Sequence, residues 1–140
     1  YFVLLSGLTL GASSGAISQS TYLMFGILGL PMFAGGGSGA QYLFGPTGGY
    51  LVGFITAAFI AGFAAKSGVS RQTQLLYLIL ATIVIWAMGV IVLLLYMGES
   101  LAVSVALGML PFIPGDILKL VAAYGSWQYL KKFKKYISER

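Results

Sequence analysis

Long apolar runs, not polar–apolar alternation, organise this chain. Five stretches rich in Leu, Ile, Val, Ala, Phe and Gly lie at roughly 1–12, 14–30, 46–65, 74–97 and 115–131, separated by polar or Gly- and Pro-containing breaks. A helix that crosses a bilayer takes about 20 mainly apolar residues, with a range of about 17–25. The pattern therefore predicts an all-α, multi-pass transmembrane helical bundle with five segments, the first incomplete at its start. Two connections differ from the rest. "PMFAGGGSGAQYLFGPTGG" joins the second and third segments. "GESLAVSVALGMLPFIPG" joins the fourth and fifth; it is apolar but interrupted by Gly and ended by Pro111 and Pro114. That pattern predicts a re-entrant or short helical piece capping the bundle.

Within the third segment a small residue recurs at every fourth position: Gly45, Gly49, Gly53, Ala57, Ala61 and Ala65. In lipid, helices associate through van der Waals contact, and small side chains let their backbones approach. The stripe is expected to be a packing face inside the protein or a face that docks another subunit. Trp86, Tyr77, Tyr96, Tyr124 and Trp127 are expected as interfacial or packing aromatics.

Composition narrows the function. The chain has 140 residues, of which 59% are hydrophobic and 8% charged, where a water-soluble domain would carry about 25% charge. Its mean hydropathy is +0.93. Cys and His are absent, which removes disulfides, thiol nucleophiles and most zinc, copper or haem ligation. Asp and Glu do not occur before Glu99, so a metal site or a two-carboxylate hydrolase lacks its ligands and no enzymatic activity is expected.

The net charge of +5 does not indicate nucleic-acid binding, because the bases are not spread over a face. Lys66 and Arg71 occupy the loop "KSGVSRQ", and Lys131, Lys132, Lys134, Lys135 and Arg140 form the tail. The positive-inside rule puts both on the cytoplasmic side. Counting through the segments then places the Gly-rich loop and the start of the last helix together on the outer face. The chain begins "YFVLLSG", without an initiator Met or a signal-peptide pattern. It is expected to lack an N-terminal helix, which would make six in the full-length protein. Residues 1–140 then form a single transmembrane substrate-binding domain.

The eighth base, Lys119, and Asp116 lie within "LPFIPGDILK". An ionisable side chain at mid-bilayer costs roughly 2.5–3.5 kcal/mol on insertion scales and usually faces a cavity. Spacing of three places both on one helix face. One reading is a ligand site, in which the carboxylate accepts N–H donors and the ammonium holds a carbonyl or carboxylate. The other is an Asp capping the helix announced by Pro114 and Gly115, with Lys119 snorkelling outward. Gly35, Gly36 and Gly37, with Ser38, Gly39 and Gln41, could present backbone N–H groups to a ligand, or form a loop with no ligand. "GGGSGA" lacks the α/β context and acidic residue of a dinucleotide fingerprint, and no GxxxxGK[ST] is present, so the chain carries no ATP site.

Three stretches, "GILGLPMFAGGGSG", "GPTGGYLVGF" and "LPFIPGDILK", together resemble the BioY family, the biotin-specific S components of energy-coupling factor (ECF) transporters, in order, spacing and flanking hydrophobicity. The resemblance implies a six-helix membrane protein that captures biotin on the outer face. Its partner would be an energising module of a transmembrane coupling protein and two ATPases, in the plasma membrane of a prokaryote. It implies no cofactor, biotin being the transported ligand. Its substrate-binding residues would be Asp116 and Lys119 of PGDxxK, the loop residues Gly35, Gly36, Gly37, Ser38 and Gln41, and Tyr50 of GPTGGY. Asp116 is expected to accept from the ureido N–H groups. The Gly-rich loop departs from many relatives, which carry a larger polar side chain there. Other functions open at this point are an S component for another vitamin, such as thiamine or riboflavin, and a non-transporting structural membrane protein.

Overall fold

The computed structural model describes residues 1–138 in backbone and residues 1–133 in side chain. The side chains of Lys134 and Lys135, and Arg140 altogether, lie outside the described residues. The chain runs α1 (Phe2–Leu10), α2 (Ala12–Ile27), α3 (Gln41–Phe44), α4 (Gly48–Phe63), α5 (Arg71–Met97), α6 (Leu101–Gly108) and α7 (Ile113–Ser138). Short 3-10 turns occupy Ala34–Gly36 and Leu110–Phe112. Among the described residues the only β pairing is an isolated bridge, Phe33 to Gly37. The five expected segments correspond to α1, α2, α4, α5 and α7.

Their boundaries differ from the apolar runs because polar residues set helix ends. Ser70 caps α5, its hydroxyl accepting from the Thr73 amide at 3.2 Å, so the helix starts at Arg71, three residues before the apolar run. Ser100 does the same for α6, and Gly98, at φ 67°, closes α5 in the left-handed conformation. The expected short piece between the fourth and fifth segments is α6 and the turn after it.

Gly11, at φ 84°, folds α1 back on α2. The hairpin closes tightly because Gly7 and Gly15 face each other: a Cβ on Gly15 would lie 2.8 Å from the Gly7 Cα. The hairpin packs on α4, where Gly7 lies against the Ala58 carbonyl and Gly62 against the backbone of Ala12. On another face of α4, Gly49 meets the Met88 carbonyl, and a Cβ on Gly53 would lie 3.2 Å from the Ile85 Cα of α5. Ala57 and Ala61 are fully buried. The small-residue stripe is thus an internal packing face at Gly49, Gly53, Ala57 and Ala61. Leu4, Leu8, Leu78, Ala123 and Trp127 complete the core between α1, α4, α5 and α7.

Outward, large apolar side chains are bare: Leu76 at 63%, Leu95 at 77% and Leu118 at 70% exposure. Such a surface suits lipid, and both α5 and the run Leu101–Phe133 are long and apolar enough to span a membrane, with α4 a shorter apolar helix. The polar contacts at one end follow the same logic. Gln74, buried at 4%, donates to the Val69 carbonyl at 2.9 Å and accepts from Tyr124 and Gln128 of α7 at 3.3 and 3.2 Å. This knot brings the Lys66–Arg71 loop and the Lys131–Lys132 end of α7 to one end of the bundle. The Gly-rich loop and the start of α7 occupy the other.

Gly49→Ala places a methyl against the Met88 carbonyl and should lower thermal stability in detergent by about 1–3 kcal/mol. Gly125→Ala, which meets no atom within 4 Å, should leave it unchanged or raise it by up to about 1 kcal/mol. Thermal unfolding of the two variants side by side checks this.

Candidate functional site

At the end opposite the basic loop the helices diverge around a cavity of about 770 Å³. The start of α1, the end of α2, the Gly-rich loop, the start of α4, the middle of α5 and the start of α7 all reach it. The divergence follows from side-chain size. The glycine and alanine contacts that close the rest of the bundle give way here to Tyr22, Phe33, Tyr50, Phe54, Trp86 and Phe112.

The loop is built inward from Phe33. Its ring, 4% exposed, occupies the space a Cβ on Gly26 would need. Tyr22 meets it edge-on at 5.8 Å and Tyr42 lies at 5.5 Å. Gly35 and Gly36, at φ 71° and 76°, turn the chain so that the Phe33 amide donates to the Gly37 carbonyl at 2.9 Å. The Gly39 amide donates to the Gly26 carbonyl at 2.8 Å and ties the loop to α2. The loop reaches the cavity through Met32, Phe33 and Ala34.

Of the expected site residues, Asp116, Lys119 and Tyr50 come together on the cavity wall. Gly35, Gly36, Gly37, Ser38 and Gln41 do not line it. Gly37 packs under the Tyr42 ring, and Gln41 Nε2 donates to the Ser38 carbonyl at 2.9 Å. The glycines shape the turn, and the side chains flanking them reach the cavity.

Asp116 lies in the first turn of α7, where the positive end of the helix dipole favours a carboxylate. It makes side-chain contacts rather than an N-cap bond: Oδ1 accepts from Lys119 Nζ and Oδ2 from Trp86 Nε1, each at 2.8 Å. The Asp116 side chain is 20% exposed and Lys119 54%. Tyr50 anchors the corner that delivers them. Its ring packs against Gly89 of α5, and its hydroxyl donates to the Gly108 carbonyl at 2.6 Å, just before the turn into α7.

Trp86 is an exception among the aromatics. Taken from sequence as an interfacial or packing aromatic, it sits 15 residues into α5, roughly 22 Å from the basic end at 1.5 Å per residue, and hydrogen-bonds the one carboxylate in the cavity wall. A Trp deep in a long apolar helix was the available signal. Thr82, one turn earlier, lines the same wall, and its hydroxyl donates to the Leu78 carbonyl at 2.9 Å. The arrangement is an aromatic chamber with one charge-paired corner, suited to a small ligand with an apolar body and a polar end that both donates and accepts hydrogen bonds.

The sequence model of the BioY family matches residues 1–136. The chain is 41% identical over 123 residues to the biotin transporter BioY of Thermotoga maritima, covering 88% of this chain and 72% of that protein. It is equally identical, over the same shares, to a probable biotin transporter BioY of Pyrococcus horikoshii. The fold superimposes with a TM-score of 0.81, at 28% identity, on a crystal structure of the S-component for biotin from an ECF-type ABC transporter, covering 94% of this chain and 71% of that one.

Tyr50→Phe removes the bond to the Gly108 carbonyl and leaves that acceptor unpaired. Stability should fall by about 1–3 kcal/mol. Amide exchange should accelerate over 109–116 while that of α1 and α2 stays at the wild-type rate, as read by hydrogen–deuterium exchange.

Proposed function

The chain belongs to the BioY family, and from that premise we propose that it is the substrate-binding component of an ECF-type transporter and captures biotin for uptake. The observation that carries the reading is the pairing of Asp116 and Lys119 inside an aromatic-walled cavity. Biotin has an apolar thiophane ring and pentanoate chain, a ureido group that offers N–H donors and a carbonyl, and a carboxylate. The aromatic walls match the first, and the Asp116–Lys119 corner offers an acceptor and a donor for the ureido group.

Asp116 and Lys119 contact ligand, and Tyr50 shapes the wall beside them. Gly35, Gly36, Gly37, Ser38 and Gln41 act through the loop conformation that carries Phe33 and Ala34 to the cavity. The cavity opens outward, and the basic loop and tail face the cytoplasm of a prokaryotic plasma membrane. Energy comes from a separate module, a coupling membrane protein with two ATPases, in line with the likeness to the S-component of an ECF-type ABC transporter.

Calorimetry on the detergent-solubilised protein tests the reading. Biotin should bind saturably and thiamine should not. Asp116→Asn should weaken biotin about 10- to 100-fold, the range for a lost hydrogen bond to a charged group, and Lys119→Ala should cost about 1.5 kcal/mol or more. Folded protein that ignores biotin, or an Asp116→Asn variant of wild-type affinity, overturns it.

A further inference from the structure

The two oxygens of Asp116 are held in unlike ways. Oδ2 takes the indole N–H of Trp86, which arrives from a different helix. That donor is rigid, has a single N–H and does not titrate. Oδ1 takes Lys119 from the same helix, three residues on, through a flexible chain that is 54% exposed. An ammonium carries three donors and can give up one bond while keeping others. The indole has no such freedom.

We infer that Trp86 is a positioning residue that locks the Asp116 carboxylate toward the cavity, while Lys119 is an exchangeable occupant of Oδ1 that ligand displaces. The inference rests on the biotin-binding reading and adds which contact survives binding. The Lys119 ammonium spares the carboxylate from standing without a counter-charge among aromatic walls, a costly state. When a ligand N–H arrives, it takes Oδ1; the ammonium turns to an acceptor on the ligand or to solvent, and the Trp86 bond stays. The site then favours a ligand whose N–H donor and hydrogen-bond acceptor are close neighbours, because Oδ1 and Nζ start only 2.8 Å apart. It also means that Asp116 meets the ligand through one oxygen.

The test joins spectroscopy to binding. In protein labelled with 15N at its indoles, the Trp86 signal is the one missing from Trp86→Phe, and Asp116→Asn should move it upfield. Saturation with biotin should leave it near its downfield position. Replacing the Trp86 indole by the isosteric benzothiophene, which keeps the ring and deletes the N–H, should weaken biotin about 10-fold, the scale of one charge-assisted bond, with thermal unfolding confirming a folded protein. A biotin-induced shift to the Asp116→Asn position, or wild-type affinity in the benzothiophene variant, overturns the inference. Wild-type protein that binds no biotin sinks the functional reading instead, and the indole shift in Asp116→Asn still reports whether the Trp86–Asp116 bond exists.

Discussion

Close backbone approach along α4 is the constraint on which everything else depends. Lipid supplies no hydrophobic drive to bring apolar helices together, so they must gain contact by fitting closely. Here α4 provides the fit on two faces. Gly49 and Gly53 admit the backbone of α5 at Met88 and Ile85, and the Ala58 carbonyl, Ala61 and Gly62 receive the α1–α2 hairpin. A larger side chain at Gly49 or Gly62 would meet main chain, which cannot rotate aside. The helix packs against α1, α2, α3 and α5.

The cavity is the complement of that packing. Where small residues give way to large aromatic ones, helices held together at their glycine contacts splay apart. The same tyrosine serves both regimes: Tyr50 presses its ring on Gly89 and holds the Gly108 carbonyl, so the corner leading into α7 is fixed relative to α4 and α5. Phe33 does comparable work for the loop by filling the space left by Gly26. Glycines on helices receive aromatic side chains from elsewhere, and those rings form the chamber wall.

Charge is rationed by the same environment. Among the described side chains the basic groups outside the cavity gather at one end, next to the Gln74 knot. The single carboxylate in the wall is neutralised by an ammonium and steadied by an indole. An ion pair so placed adds little to net stability once desolvation is counted. Its use is to keep an acceptor and a donor ready in a low-dielectric chamber.

Much was legible in the sequence because the strongest signals are local. Apolar runs gave the helices, Gly and Pro clusters gave the breaks, and the isolation of Asp116 and Lys119 in an uncharged stretch marked them as costly and therefore placed for a reason. The four-residue recurrence of Gly and Ala marked a packing face but left its partner open, since a small residue does not name the helix that will cover it. What only the tertiary structure decided were relations between distant residues. Trp86 reads as one more aromatic until α5 and α7 pack, across 30 positions of sequence. Gly35 to Gly37 read from sequence either as backbone donors to a ligand or as a plain loop; only the fold shows that Gly35 and Gly36 take positive φ, that Gly37 packs under the Tyr42 ring, and that the turn they make carries Phe33 inward. Sequence determined which segments are apolar enough to suit a bilayer and where polarity is costly; packing decided which side chains share the space that remains, because that depends on the shapes of several helices at once.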